Sequence, residues 1–141
     1  MLAAGGDTNT ASGFRSTVAG GAGNSANAAC TTVAGGLSNS ANGIYSTVAG
    51  GDSNAAGGVR SFAAGFKANA AFNGCFVWAD NSNASATNCF GINQFIARAL
   101  GGFYFYTGGT LDANYSPFAR RLRKPKSAYF GSRGCAFVPT Q

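Results

Sequence analysis

The stretch Ala41-Asn42-Gly43-Ile44-Tyr45-Ser46-Thr47-Val48-Ala49-Gly50-Gly51-Asp52-Ser53-Asn54 decides the fold, because its parts return every 15 residues through the first half of the chain. Asparagine stands at Asn9, Asn24, Asn39, Asn54 and Asn69, with alanine two residues later at Ala11, Ala26, Ala41, Ala56 and Ala71. Val-Ala-Gly-Gly begins at Val18, Val33 and Val48, and its alanine column runs on through Ala64 and Ala79. Several columns sharing one interval mean a chain laying down similar coils, an architectural element before anything else.

Helix is excluded. Each unit holds a glycine pair, asparagine and serine, all poor helix formers, and no run long enough for an amphipathic stripe. Two short extended stretches per unit are expected instead. One is Ser16-Thr17-Val18-Ala19-Gly20, echoed at 31–35 and 46–50; the other runs through Ala41-Asn42-Gly43-Ile44-Tyr45. Gly50-Gly51-Asp52-Ser53-Asn54 between them has turn chemistry, since glycine and asparagine tolerate positive φ. Two strands and two turns per unit describe one rung of a narrow parallel β-solenoid.

Columns that vary between units face water. Arg15, Cys30, Tyr45, Arg60 and Cys75 form one such column; Asp7, Ala22, Leu37, Asp52 and Lys67 form another. Along Ser16 to Gly20 side chains alternate between faces, and neither face carries charge. A strand without charge on either face is buried on both. The expected core is therefore Thr17, Val18, Ala19, Thr32, Val33, Ala34, Thr47, Val48, Ala49, Ala63 and Ala64. Such small residues bury little area, at about 25 cal/mol per Å², against about 1–2 kcal/mol of backbone entropy per residue. Several coils packed side by side would restore the balance. The asparagine column is expected to add amide ladders between rungs.

These units resemble the head repeats of trimeric autotransporter adhesins, the YadA-like or haemagglutinin-type head, which also occur in phage tail fibres. The likeness rests on Ala41-Asn42-Gly43-Ile44-Tyr45-Ser46-Thr47-Val48-Ala49-Gly50-Gly51 and covers residues 1–80. It implies an all-β fold: a left-handed parallel β-roll over residues 1–71, homotrimeric, with the strands at 16–20, 31–35 and 46–50 facing the trimer axis. Many adhesin heads use 14 residues per unit; an extra glycine (Gly21, Gly36, Gly51) accounts for the difference.

Residues 72–110 read as an aromatic module. Phe76-Val77-Trp78-Ala79-Asp80, Asn93-Gln94-Phe95-Ile96-Ala97-Arg98-Ala99 and Gly101-Gly102-Phe103-Tyr104-Phe105-Tyr106-Thr107 are similar to a segment that follows such repeats in fibre-like bacterial and phage proteins. Ala97 to Tyr106 suggests a β-hairpin about Gly101-Gly102. The aromatics supply buried area that the thin repeats lack, as a trimer collar or as a small β core. The tail, 111–141, carries six basic and one acidic residue, against four and three in 1–110. Its Arg120-Arg121-Leu122-Arg123-Lys124-Pro125-Lys126 run has the charge of a nucleic-acid patch. Without strand pattern it is expected to be an irregular, poorly ordered tail, and no nucleic-acid partner is expected.

The chain offers little for catalysis. Histidine and glutamate are absent and the four aspartates are scattered, so no Ser-His-Asp, Cys-His or paired-carboxylate constellation exists in the sequence. No catalytic, cofactor or metal site is expected, and no enzyme. Cys30 and Cys75 share a column but lie about 14 Å apart by strand spacing, beyond a disulfide's reach. Cys75 and Cys89 would meet on neighbouring rungs only if the register slips by one. Neither a secretory signal nor an apolar stretch long enough to span a membrane is visible. Met1 to Gly6 already stands in repeat register, so the expected setting is a piece of a longer fibre on a bacterial surface or in a virion tail.

The function expected is therefore structural and adhesive: an adhesin-head segment whose partners are two further copies of itself and a host-surface protein or glycan. Arg15, Tyr45, Arg60, Leu37, Asp52 and Lys67 are the candidate outer binding surface. A phage tail-fibre segment is the first alternative, and an ice- or carbohydrate-binding solenoid using Thr17, Thr32 and Thr47 is the second.

Overall fold

Glycine, serine and asparagine cannot sustain long regular elements, so each unit breaks into short extended pieces joined by tight corners, and successive units stack. The structure, a computed structural model, describes residues 1–82 and 84–103. Its odd-numbered strands form one seven-stranded parallel sheet. These are β1 (Leu2–Ala3), β3 (Thr17–Val18), β5 (Thr32–Val33), β7 (Thr47–Asp52), β9 (Phe62–Phe66), β11 (Phe76–Ala79) and β13 (Phe95–Arg98). The even-numbered strands form a six-stranded sheet: β2 (Thr10–Ala11), β4 (Ser25–Ala26), β6 (Ser40–Ala41), β8 (Ala55–Ala56), β10 (Ala68–Ala70) and β12 (Thr87–Asn88). Consecutive strands lie in different sheets, which makes the chain a parallel β-solenoid.

Two corners per turn hold a residue in the left-handed region. One is occupied by Arg15, Cys30, Tyr45 and Arg60 at φ 55–62°, the other by Thr8, Ser38 and Ser53 at φ 53–58°. Such a conformation costs a non-glycine residue of order 1–3 kcal/mol. It persists because it reverses the peptide: the Tyr45 N–H donates to Ala29 of the preceding turn at 3.1 Å, whereas the Thr17 N–H in a strand donates forward to Thr31 at 2.9 Å. The backbone thus stays paired around bends as well as along strands. The corner includes Gly43, Ile44 and Tyr45, so the expected second strand is shorter than the sequence pattern suggests and ends at Ala41. At the opposite bend Gly36 has φ +95°, and a Cβ there would run into the carbonyl oxygen of Gly51 one turn on. Only glycine fits.

The interior is one residue thick. Val18, Val33, Val48, Ala63 and Val77 line the seven-stranded side and meet Ala26, Ala41, Ala56, Ala70 and Cys89 from the other sheet, all at most 3 % exposed. Beside them stands the asparagine stack. Asn39 is fully buried; its Nδ2 donates to Gly35 within its own turn and to Gly51 in the next, both at 2.9 Å. Its Oδ1 accepts the backbone N–H and the Nδ2 of Asn54, each at 3.0 Å. The ladder is thus amide-to-backbone as well as amide-to-amide.

The 15-residue register first breaks after Val48, and several sequence columns shift with it. Val48 pairs with Ala63, fifteen on, but Gly51 pairs with Gly65 and Asp52 with Phe66, fourteen on. One glycine of the Gly-Gly pair is missing from this turn. Ala68 therefore takes the fifth asparagine place, and its N–H donates to Asn54 Oδ1 at 2.9 Å. Asn69, expected to continue the stack, instead pairs with Asn88 at 2.8 Å. Lys67 falls in the column of Ser53 rather than that of Asp52, sharing its positive φ. Ala79 pairs with Gly65, and Trp78 takes the alanine column opposite Ala64. Cys75 moves inside, into line with the buried Ser16, Ser46 and Ser61, at 1 % exposure.

The following turn is longer: Phe76 pairs with Phe95 and Ala68 with Thr87, nineteen on, the extra residues falling in the segment 80–86. Cys75 and Cys89 form a disulfide across the interior here, with Cα atoms 6.5 Å apart. The expected boundary at 71/72 does not interrupt the sheets; β11, β12 and β13 extend them to Arg98. Ala97 and Arg98 belong to parallel strand β13, their backbone pairing with Trp78 and Ala79. The unit spans Met1–Phe103. The return strand expected at 104–106 and the basic tail 111–141 lie outside the described residues.

Removing the stack at its centre has a defined cost. Asn39→Ala leaves the Gly35 carbonyl and the Asn54 N–H without partners, about 2 kcal/mol at roughly 1 kcal/mol each, while the Gly51 carbonyl keeps the Leu37 N–H at 3.0 Å. Asn9→Ala, at the half-exposed end of the stack, costs less than half of that in the same urea titration. Reduction of Cys75–Cys89, whose sequence separation is 14, lowers stability by about 3 kcal/mol on the loop-entropy scale, and limited proteolysis then opens the turns after residue 75 before those preceding it.

Candidate interaction surface

The two sheets present unlike outer faces. Side chains alternate along each strand, so with Val18, Val33 and Val48 inside, Thr17 and Ala19, Thr32 and Ala34, Thr47 and Ala49 point away from the coil. In a single chain Ala19, Thr32, Ala34 and Ala49 are exposed and Thr17 and Thr47 half-buried. Of the expected core, Val18, Val33, Val48 and Ala63 are therefore inside the coil, whereas the threonines, Ala19, Ala34, Ala49 and the half-buried Ala64 form its outer wall. Further along the same wall the threonine column becomes Phe62, Phe76 and Phe95, and the alanine column holds Trp78. The rings stack face to face, Phe62 on Phe76 at 4.5 Å and 3° and Phe76 on Phe95 at 4.7 Å and 10°. From Thr17 to Ala97 neither outward column of this wall carries a charge. The six-stranded sheet turns Thr10, Ser25, Ser40, Ala55, Asn69 and Asn88 outward instead, a face that water solvates readily.

Charge and large side chains sit at the corners. Arg15 lies over the Phe14 ring at 4.8 Å and Arg60 over Tyr45 at 5.5 Å, and Phe14 and Tyr45 remain exposed. Leu37, 51 % exposed, is on the opposite bend, where it pairs with Asp52 through a single bridge. Asp52 accepts from Ser53 at 2.6 Å. Lys67 does not join them. Its ammonium lies 5.0 Å from the Phe66 ring centroid and donates to Ala84 O at 2.9 Å, tying the 80–86 segment to the coil. The expected outer surface is thus split: Arg15, Tyr45 and Arg60 share one edge, Leu37 and Asp52 the other, and Lys67 is spent on a structural contact.

A second tie closes the long turn. Asp80 Oδ1 accepts from the Ser82 hydroxyl and, at 3.1 Å, from Arg98 Nε, and Oδ2 accepts from the Leu100 N–H at 2.6 Å. Arg98 also donates to Asp80 O at 2.7 Å and to Ser85 O at 2.8 Å. The Ser82 hydroxyl first, then the Leu100 amide and Arg98, lower the Asp80 carboxyl to about 2. Spacing alone does not reveal this pair, since Asp80 and Arg98 become neighbours only through the lengthened turn. Among the described residues no three cysteine or acidic side chains converge to hold a metal ion, and no helix is long and apolar enough to cross a membrane.

Comparison with family models, with curated proteins and with solved structures finds no match to this chain.

Because the folded carboxyl titrates below its ordinary value of 3.8, the Asp80 tie contributes fully above that value and is lost as pH falls through about 2. The chain has a single tryptophan, Trp78, two residues away. Its fluorescence is expected to change between pH 4 and pH 2, and Asp80→Asn is expected to remove that transition.

Proposed function

We propose that the chain is a structural and adhesive segment of a fibre, in which three copies pack through the outer wall of the seven-stranded sheet. The observation that carries this reading is the contrast between the two outer faces: one is serine- and asparagine-rich, the other is threonine, alanine, phenylalanine and tryptophan without charge. An apolar, regular wall running the length of a thin coil is what a parallel sister coil would cover. The interior supports the same view, since its side chains are no larger than valine and the area they bury is small. The likeness of the repeats to trimeric adhesin heads gives the number of copies and the left-handed roll.

In this reading the coil is a spacer and a display surface, and no reaction is assigned to it. Three copies present Arg15, Tyr45 and Arg60 along three edges, and multivalent contact raises avidity without strong single sites. A host-surface protein or glycan is the partner in kind. A bacterial surface fibre and a virion tail fibre share this architecture, and either setting is extracellular. A solvent-facing Thr17, Thr32 and Thr47 column on a flat sheet favours one other reading, a solenoid that binds ice or carbohydrate with that face.

Light scattering decides between them. The expected mass is three times the 14.1 kDa of the chain, and Ala34→Arg, which places a charge on the wall, is expected to reduce it to that of one chain. A single-chain mass for the unsubstituted protein would overturn the fibre reading in favour of the flat binding face.

A further inference from the structure

We propose that the stack of Phe62, Phe76 and Phe95, with Trp78 beside it, is the element that holds copies of this chain together, and that its partner is the same wall on a second copy. The inference rests on the threefold reading above and assigns the association to one end of the wall. The ring faces are used up by one another, so ring edges form a continuous outward ridge; Phe95 is 73 % exposed and Trp78 39 %. A ridge of this kind selects its partner by period. Its rings repeat every 4.5–4.7 Å. A bound strand offers same-side side chains about 6.6 Å apart, and a helix offers them about 5–6 Å apart on a curved surface. A parallel coil repeats at the strand spacing of about 4.8 Å and stays in step over every rung.

The wall is also shaped for a copy of itself. The Phe62 column stands beside the smaller column of Ala64 and Ala97, a ridge next to a trough. A ridge of one copy laid in the trough of the next is a heterologous contact, which rotation closes into a ring. Trp78 fills the trough on the rung of Phe76, so there a ring of the neighbouring copy would pack against the indole and not against alanine. Each aromatic buries about 150–250 Å², far more than threonine or alanine, so the Thr17–Thr47 half is carried along by the ladder.

Light scattering against concentration, with far-UV circular dichroism as the check on folding, tests this. Trp78→Ser and Phe95→Ser are each expected to weaken association by about tenfold or more, while the triple Thr17→Ser, Thr32→Ser, Thr47→Ser variant associates as the unsubstituted chain does. Folded ladder variants that assemble undiminished would overturn the proposal and leave the threefold reading standing. Should the variants unfold, iodide quenching of Trp78 in the unsubstituted protein decides. Quenching is expected to fall as concentration drives assembly. A Trp78 that stays open in the assembled protein, or one shielded at every concentration because the chain covers its own ladder, would overturn it. A single-chain mass at all concentrations would remove the threefold reading and this proposal together.

Discussion

The structure depends on one side-chain amide used as a staple between turns. In each of the buried places at 24, 39 and 54 the Nδ2 reaches two glycine carbonyls, one in its own turn and one in the next, while the Oδ1 takes the N–H of the residue above. The N–H groups and the own-turn carbonyls it serves lie at a bend, while the next-turn carbonyls of Gly36 and Gly51 also accept from Ala22 and Leu37. An unpaired buried backbone group costs about 1–3 kcal/mol, and a coil with an interior this thin has no reserve to meet that cost at every turn. Asparagine carries two donor hydrogens and an acceptor on a short arm; aspartate lacks the donor, and serine has a single hydrogen to give. The glycine pair is the other half of the same device, since a Cβ on Gly21, Gly36 or Gly51 would meet the asparagine amide and the carbonyl it serves.

Much of this was legible because a solenoid writes its geometry into sequence columns. The parallel strands at 17–18, 32–33 and 47–48, the valine core and the first four asparagines could be read from repetition alone. The register change was hidden by composition. Asn69 and Ala71 keep the 15-residue interval although the chain has dropped a glycine, because alanine and asparagine are frequent enough here to imitate the column: Ala68 and Ala70 occupy the structural places. Only the backbone, through Gly51 pairing with Gly65, places the deletion. The same slip brings Cys75 inside and within reach of Cys89. The spacing of 14 between those cysteines suggested one column on neighbouring rungs, whereas the chain joins them across the interior, in a turn where Phe76 pairs with Phe95 and Asn69 with Asn88, nineteen on.

The outer face of the seven-stranded sheet follows from different physics. A strand position facing the interior must be apolar to fold, whereas an outward position is free to vary, and the second sheet uses that freedom to place serine and asparagine in water. The first sheet does not. Threonine and alanine, then phenylalanine and tryptophan, occupy outward columns without a single charge, although charged residues are tolerated a few positions away at Arg15, Arg60 and Lys67. A constraint acts on this wall that the fold of one chain does not supply. In the proposed trimer, contact between coils would supply it and would leave charge and aromatic side chains at the corners, where three copies would still present them.

Stability in the last two turns passes from one kind of tie to several. The asparagine stack ends at Asn54, and beyond it the turns no longer keep equal length, so a staple that relies on identical spacing cannot continue. Ties that tolerate unequal turns replace it: Asn69 to Asn88 on the outside of the second sheet, Cys75 to Cys89 through the core, Asp80 to Arg98 across the lengthened segment, and the phenylalanine ladder along the wall. Each acts between side chains on adjacent rungs and needs only that strand register be kept, which β9, β11 and β13 do. The aromatics arrive where the repeat becomes irregular because they do two jobs that small residues managed by repetition: they stack rung on rung, and they enlarge the apolar area of the outer wall. Irregular sequence at this end therefore marks a change in how the coil is held, while the coil itself continues.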